Sequence, residues 1–410
     1  MEITLYLLIA LGFISIVVED IVHIDKAKTT LFFGTLVWII YFIFSGHQSS
    51  DVQHALNENL LEIASLWLFL MAAMTFVAYL SHKGTISILV DKVLPNQLTE
   101  KKLMFLTGGF AFVFSSFADN ITSTLVCITL LTGLNLERKK LISFLVLIIF
   151  SVNAGGAALI TGDVTTLMIF LADKVEIQNL FLLIPPSFIA VLSLAFMLSR
   201  GMNGKVSIKS ENHAIELGDK VVATLFGLTI VFTLLGSILF NLPPVLSFLM
   251  GLSLMFLVVQ FINHDEPILD YIRKIEFDTL LFFLGVLLLV GMLKELQLLD
   301  NVSKLYQLLP IDIANYVVGL ASSIFDNVPL TAALLKSDIS MGLSEWLILT
   351  YSVGVGGSLL VIGSAAGVVA MSKVQELTFV SYLKYFLYLL FAFSIGFISL
   401  LVLTRFLNLG

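Results

Sequence analysis

The chain has 410 residues, 58% hydrophobic and only 12% charged, about half the charged share of a typical soluble domain. With a mean hydropathy of +1.03 it is excluded from the soluble class, and its net charge of −7, spread over loops on both sides, identifies no partner. Its single cysteine, Cys127, rules out an internal disulfide and argues against thiolate metal chemistry.

Apolar runs long enough to cross a bilayer recur from end to end, which predicts an all-α polytopic membrane protein. Short segments of alternating polarity, the barrel signature, are absent. The opening Met1-Glu2-Ile3 carries no Lys or Arg, so no cleaved signal peptide is expected.

Spans are predicted at 3–18, 30–44, 60–80, 103–134, 141–172, 179–199, 220–240, 244–262, 277–293, 311–335, 345–372 and 377–404. One crossing needs only ~20 residues, so the 103–134 run has room for two short helices and a turn. Basic residues decide between a long tilted helix and a re-entrant hairpin. With residue 1 outside and both 103–134 and 311–335 returning to the side they entered from, 17 of the 22 Lys and Arg fall inside. Lys174, Lys294, Lys304, Lys336 and Arg405 remain outside. A full crossing by 103–134 would instead split Lys101-Lys102 from Arg138-Lys139-Lys140.

The hairpin arrangement makes two units of opposite orientation, the inverted repeat of secondary transporters. The predicted division is N-terminal scaffold spans (1–55), a first repeat (56–199; hairpin 103–134, broken helix 141–172), a polar linker with two connecting spans (200–276), and a second repeat (277–410; hairpin 311–335, broken helix 345–372). Each repeat has an amphipathic stretch ending in Pro, Leu89 to Pro95 and Leu305 to Pro310.

The two hairpins carry one string in two versions. Ser115-Ser116-Phe117-Ala118-Asp119-Asn120-Ile121 returns 207 positions later as Ser322-Ser323-Ile324-Phe325-Asp326-Asn327-Val328. A carboxylate facing lipid at that depth costs roughly 2.5–3.5 kcal/mol or more, so both aspartates are expected to face protein or water. The broken spans match as well. Asn153 to Thr166 and Gly354 to Gly367 each hold Gly-Gly, then Gly six residues on, followed by Asp163 in one and Ser364 in the other. Glycines there let the chain leave helical geometry, exposing carbonyls for a cation and half-helix N-termini for an anion. The plainer alternative is close helix packing.

Asp119, Asp163 and Asp326 are the ionisable groups expected in the core, with no Lys or Arg among them; Glu62, Asp278 and Lys384 sit near span ends. Such carboxylates become neutral by taking a proton or a cation, which is what an exchanger needs. Oxygen-only ligation suits a hard cation such as Na⁺ or Li⁺. Thr122, Thr124, Thr165, Thr166, Ser322 and Ser364 can add hydroxyls, although each can equally bond its own helix backbone. The histidines His23, His47, His54, His82, His213 and His264 fall in loops or at span ends and are read as solvated. An aspartyl intramembrane protease, the enzyme-class rival, requires Gly-x-Gly-Asp, and Ile160 stands where its first Gly belongs.

Phe117–Thr124, Asn153–Thr166, Ser322–Asn327 and Gly356–Met371 resemble the NhaD-type sodium/proton antiporters of the ion transporter superfamily. The likeness runs from about Leu56 to Phe406, and Gly-Asp-Val-Thr-Thr and Ile-Gly-Ser-Ala-Ala-Gly are its most specific parts. It implies a scaffold with a transport domain of two hairpins and two broken helices, in a homodimer of the bacterial inner membrane. It also implies Na⁺ or Li⁺ exchanged for H⁺, with no cofactor and no enzymatic activity. The matching positions are Asp119, Asn153, Asp163, Thr165, Thr166, Ser322, Asp326, Asn327 and Ser364, with Asn120 beside the first tip. Na⁺ is expected among Asp119, Asn153, Asp163 and Asp326. More distant relatives carry dicarboxylates or arsenite, which leaves a sodium-coupled anion carrier as the alternative.

Overall fold

The computed structural model describes residues 2–17, 24–44, 49–85, 97–132, 134, 136–207, 217–264, 266–337 and 339–409. The Leu89–Pro95 stretch and His23, His47 and His213 lie outside them. The described chain is almost wholly helical, and eight of its helices are long and apolar enough to cross a membrane. It is a multi-pass membrane protein.

In chain order the main helices are α1 (Glu2–Val17), α2 (Lys26–Phe44), α3 (Ser49–His82), α4 (Glu100–Phe117), α5 (Asn120–Thr132), α6 (Arg138–Gly156), α7 (Val164–Leu171), α8 (Ile184–Leu198), α9 (Leu217–Phe240) and α10 (Pro244–Ile262). They continue as α11 (Ile268–Arg273), α12 (Phe277–Glu295), α13 (Asp300–Leu308), α14 (Ile311–Ser322), α15 (Asn327–Lys336), α16 (Leu343–Gly356), α17 (Ala365–Lys373) and α18 (Phe386–Phe406). The 103–134 and 311–335 runs are each interrupted at the Asp, and the 141–172 and 345–372 spans leave α-helical geometry at Gly-Gly.

Several contacts among α4–α8 recur among α14–α18. Helix α4 packs on α6 as α14 packs on α16, and α8 lies against α6 as α18 lies against α16. The short second halves cross between the sets, α5 touching α17 and α7 touching α15, while α8 meets α18. Helix α12 lies against α2, α3 and α15 and so joins the flanking spans to this centre.

Close backbone approach explains two of the glycines. A Cβ on Gly155 would run into the Phe112 carbonyl of α4, and one on Gly356 would run into the Gly319 carbonyl of α14. Both residues are still helical, and the chain leaves helical geometry only beyond them. The packing alternative therefore holds for these two, and the unwinding falls on the residues that follow.

One element departs from the all-α expectation. β1 (Gln97–Thr99) pairs antiparallel with β2 (Lys205–Ser207), Leu98 opposite Val206. Three-residue strands give no periodicity that sequence inspection can detect. Glu100 stands next to the ribbon, accepting from the Gly204 backbone N–H at 2.9 Å and from Lys140 Nζ at 2.8 Å.

Ion pairs elsewhere join segments that the basic-residue count puts on one face. Lys83–Glu266 at 2.9 Å and Lys140–Glu100 connect inside segments. Lys336–Glu62 at 3.0 Å and Arg405–Asp312 at 3.1 Å connect outside ones.

Candidate functional site

Four short helices, α5, α7, α15 and α17, begin in the centre of the protein, and each N-terminus is closed by the side chain just before it. Asp119 Oδ1 accepts from the backbone N–H groups of Ile121 and Thr122 at 3.0 and 2.9 Å, and Oδ2 from the Thr122 hydroxyl at 2.7 Å. Asp163 Oδ1 accepts from the Thr165 N–H and hydroxyl, both at 3.0 Å. Asp326 Oδ1 accepts from the Val328 N–H at 3.1 Å, and Ser364 Oγ from the Gly367 N–H at 3.4 Å. Ser364 thus occupies in the second set the capping position that Asp163 occupies in the first. Aspartate and serine are preferred caps because their oxygens satisfy N–H groups left open in the first turn.

These caps converge on one cavity of about 220 Å³, whose lining includes Asp119, Asn120, Asn153, Asp163, Asp326, Asn327 and Ser364. Asn120 connects the first hairpin to the first break, accepting from Ser115 Oγ at 2.9 Å and donating to Asp163 Oδ2 at 3.2 Å. Asn153 connects the two breaks, its Nδ2 donating to Ile149 O at 2.7 Å and to Ser364 Oγ at 3.2 Å. Its Oδ1 is buried with no hydrogen-bond partner among the described residues. A buried, unpaired amide oxygen on a cavity wall is an acceptor waiting for a donor or a cation.

The other sequence-selected hydroxyls divide by partner. Thr122 and Thr165 bond the capping carboxylates. Thr124 donates to Asn120 O of its own helix, Thr166 to Ala157 O across the break, and Ser322 to Val353 O of α16. These last three hold backbone and leave the cavity to other groups. Among the described residues, no three His, Cys, Asp or Glu side chains converge on one point fit for a metal ion. The expected Na⁺ set is instead arranged around a cavity, with Asp163, Asn120, Asn153 and Ser364 joined in its wall.

One expectation is corrected. One core carboxylate does have a basic partner: Lys26 Nζ lies 3.2 Å from Asp326 Oδ2, with only 20% and 9% of the two side chains exposed. Lys26 starts α2, where a lysine ordinarily extends to water, and its partner is 300 residues away. Nothing local in the sequence marks the pair. Glu276 was also missed. It lies just before α12, outside the span, and lines both this cavity and a neighbouring one of about 300 Å³ that it shares with Asp119, Thr122, His82 and Lys274. Burial pushes the Glu276 carboxyl up to about 7, the charge of Asp119 adding to the effect and a hydrogen bond from Thr279 opposing it.

A family model described as a citrate transporter matches residues 3–356. The Na⁺/H⁺ antiporter NhaD of Vibrio parahaemolyticus is 33% identical over 396 residues, covering 88% of this chain and 95% of the relative. The NhaD of Vibrio cholerae is 33% identical over 435 residues, covering 97% and 91%. The sodium/proton antiporter 1 of Arabidopsis thaliana is 29% identical over 398 residues, covering 90% of this chain and 67% of that protein. Fold, site and matches together define a multi-pass membrane carrier. The chain belongs to the NhaD Na⁺/H⁺ antiporter family, within the group that the citrate-transporter model describes.

Proposed function

We propose that the protein exchanges Na⁺ or Li⁺ for H⁺ across the bacterial cytoplasmic membrane by alternating access, working as a homodimer in pH and sodium homeostasis. The cargo cation and the proton compete for carboxylates around the central cavity, with Asp163 the principal group. Residues 56–199 and 277–410 act as inverted repeats, α4/α5 and α14/α15 as re-entrant hairpins, and 1–55 and 200–276 as scaffold. The corresponding contacts of the two sets and the same-face ion pairs support this arrangement.

The observation that carries the cation reading is the capping of the four half-helices. An anion site needs open N–H donors at helix N-termini. Here Asp119, Asp163, Asp326 and Ser364 each engage one or two of them, and three of the four caps are carboxylates. That supports cation exchange over a sodium-coupled carrier of a small anion. In the test, everted membrane vesicles with an acidic interior lose that gradient on addition of Na⁺ or Li⁺. Vesicles that respond to neither ion, yet take up labelled dicarboxylate only with Na⁺, would reverse the assignment.

Glu276 gives the pH dependence a sign. Below about pH 7 its carboxyl is protonated and neutral; above, it is ionised and adds negative charge at the cavity edge, where cations are attracted. In the parent protein the half-saturating Na⁺ concentration should fall as pH rises through 7. Glu276→Gln is expected to flatten that part of the profile and to raise half-saturation severalfold above pH 7. An unchanged profile would remove Glu276 from the cation path.

A further inference from the structure

Helix α15 is tied to the flanking spans at both ends. At its N-terminus Asp326 takes the ammonium of Lys26 from α2. At its C-terminus Lys336 Nζ reaches Glu62 Oε2 at 3.0 Å and Asn59 Oδ1 at 2.5 Å, both on α3. The corresponding helix of the first set, α5, has no such tie at its cap: among the described residues no ion pair involves Asp119, whose oxygens hold Ile121 and Thr122. The ring of Phe282 of α12 also packs against Lys26, 4.6 Å from Nζ to the ring centre. Its ammonium therefore sits on the cavity wall, at the oxygen of Asp326 that the helix cap leaves free, while Oδ1 is engaged by Val328.

We propose that the Lys26 ammonium is a tethered competitor for the transported cation. It occupies Asp326 Oδ2 while the cavity holds no cation, and it withdraws when Na⁺ or Li⁺ engages that carboxylate. This rests on the cation-exchange reading above. An ammonium and a hard cation cannot share one carboxylate oxygen at close range without strong repulsion. Each cargo ion therefore arrives against a built-in rival, which weakens binding and favours release. The same exchange unties α15 from α2, so loading of the site loosens the N-terminal end of that helix while the Lys336 end remains held.

The test compares Lys26→Met, Lys26→Arg, Asp326→Asn and the double variant Lys26→Met/Asp326→Asn. Two readouts are taken at alkaline pH: the half-saturating Na⁺ for proton exchange in everted vesicles, and the half-maximal NaCl, against choline chloride, for raising the unfolding temperature of purified protein. Lys26→Met should lower both by about tenfold, within the range of ordinary coupling energies. Lys26→Arg should stay near the parent, and Asp326→Asn should cancel the effect of Lys26→Met. Unchanged or raised half-saturation in a folded Lys26→Met protein overturns the proposal, as does equal tightening in the Asp326→Asn background. If the parent fails to exchange but Lys26→Met still binds Na⁺ more tightly, the exchange reading fails and the competitor stands. No Na⁺ effect on the stability of either protein overturns the competitor as well.

Discussion

Replacing Asp163 by Asn should reduce Na⁺- and Li⁺-driven proton exchange to the level of vesicles without the protein, while the protein still accumulates in the membrane and unfolds at nearly the parent temperature. Asparagine caps a helix as well as aspartate does, so the bond to the Thr165 N–H survives and α7 still begins where it should. What goes is the carboxyl group at the junction of Asn120 with the first break. A neutral amide neither holds a cation by charge nor takes a proton at working pH. Measurement of exchange beside detergent unfolding separates the two effects. Full exchange in this variant would remove Asp163 from the site, and loss of both exchange and folding would reduce it to a structural cap.

Adding one methyl group to Gly155 should be among the most damaging small changes in the chain. Its Cβ would meet the Phe112 backbone carbonyl, which cannot rotate away as a flexible side chain does. Overpacking of this kind typically costs about 1–3 kcal/mol and sometimes more. Gly356→Ala should behave alike, because its obstacle is the Gly319 carbonyl at the corresponding crossing. Gly109→Ala is the control. A Cβ there meets nothing within 4 Å, and alanine is the better helix former by about 1 kcal/mol. Thermal unfolding in detergent should therefore fall for the first two variants and hold or rise for the third. A Gly155→Ala protein as stable as the parent would show that α4 and α6 can part without cost.

The span pattern was legible because lipid imposes it: a helix in hydrocarbon must be apolar over its length, so each polar break stands out. Asp119, Asp163 and Asp326 were found for that reason, and the two matching strings located the corresponding helix breaks. The rest depended on contacts that cross the chain. Lys26 and Glu276 lie at span ends, where charged residues are ordinary, and only the fold turns them toward the cavity. The role of the capping side chains was hidden for another reason. Asp and Ser before a short helix look like ligands and like caps, and in this structure each one caps. Gly155 and Gly356 had the opposite ambiguity, and their surroundings decide for packing.

The small β1–β2 ribbon also bears on how the chain is made. Pairing Gln97–Thr99 with Lys205–Ser207 joins the two ends of the stretch that contains α4 to α8, and the bond from the Gly204 N–H to Glu100 reinforces the closure. Within that loop α4, α6 and α8 already pack on one another. During synthesis the stretch can thus close on itself once residue 207 has left the ribosome, before any of α12 to α18 exists. Helix α2, which packs on α1, gains its larger neighbour only when α12 is translated, much later. The staple lets an early-made block wait, already assembled, for the half it must face.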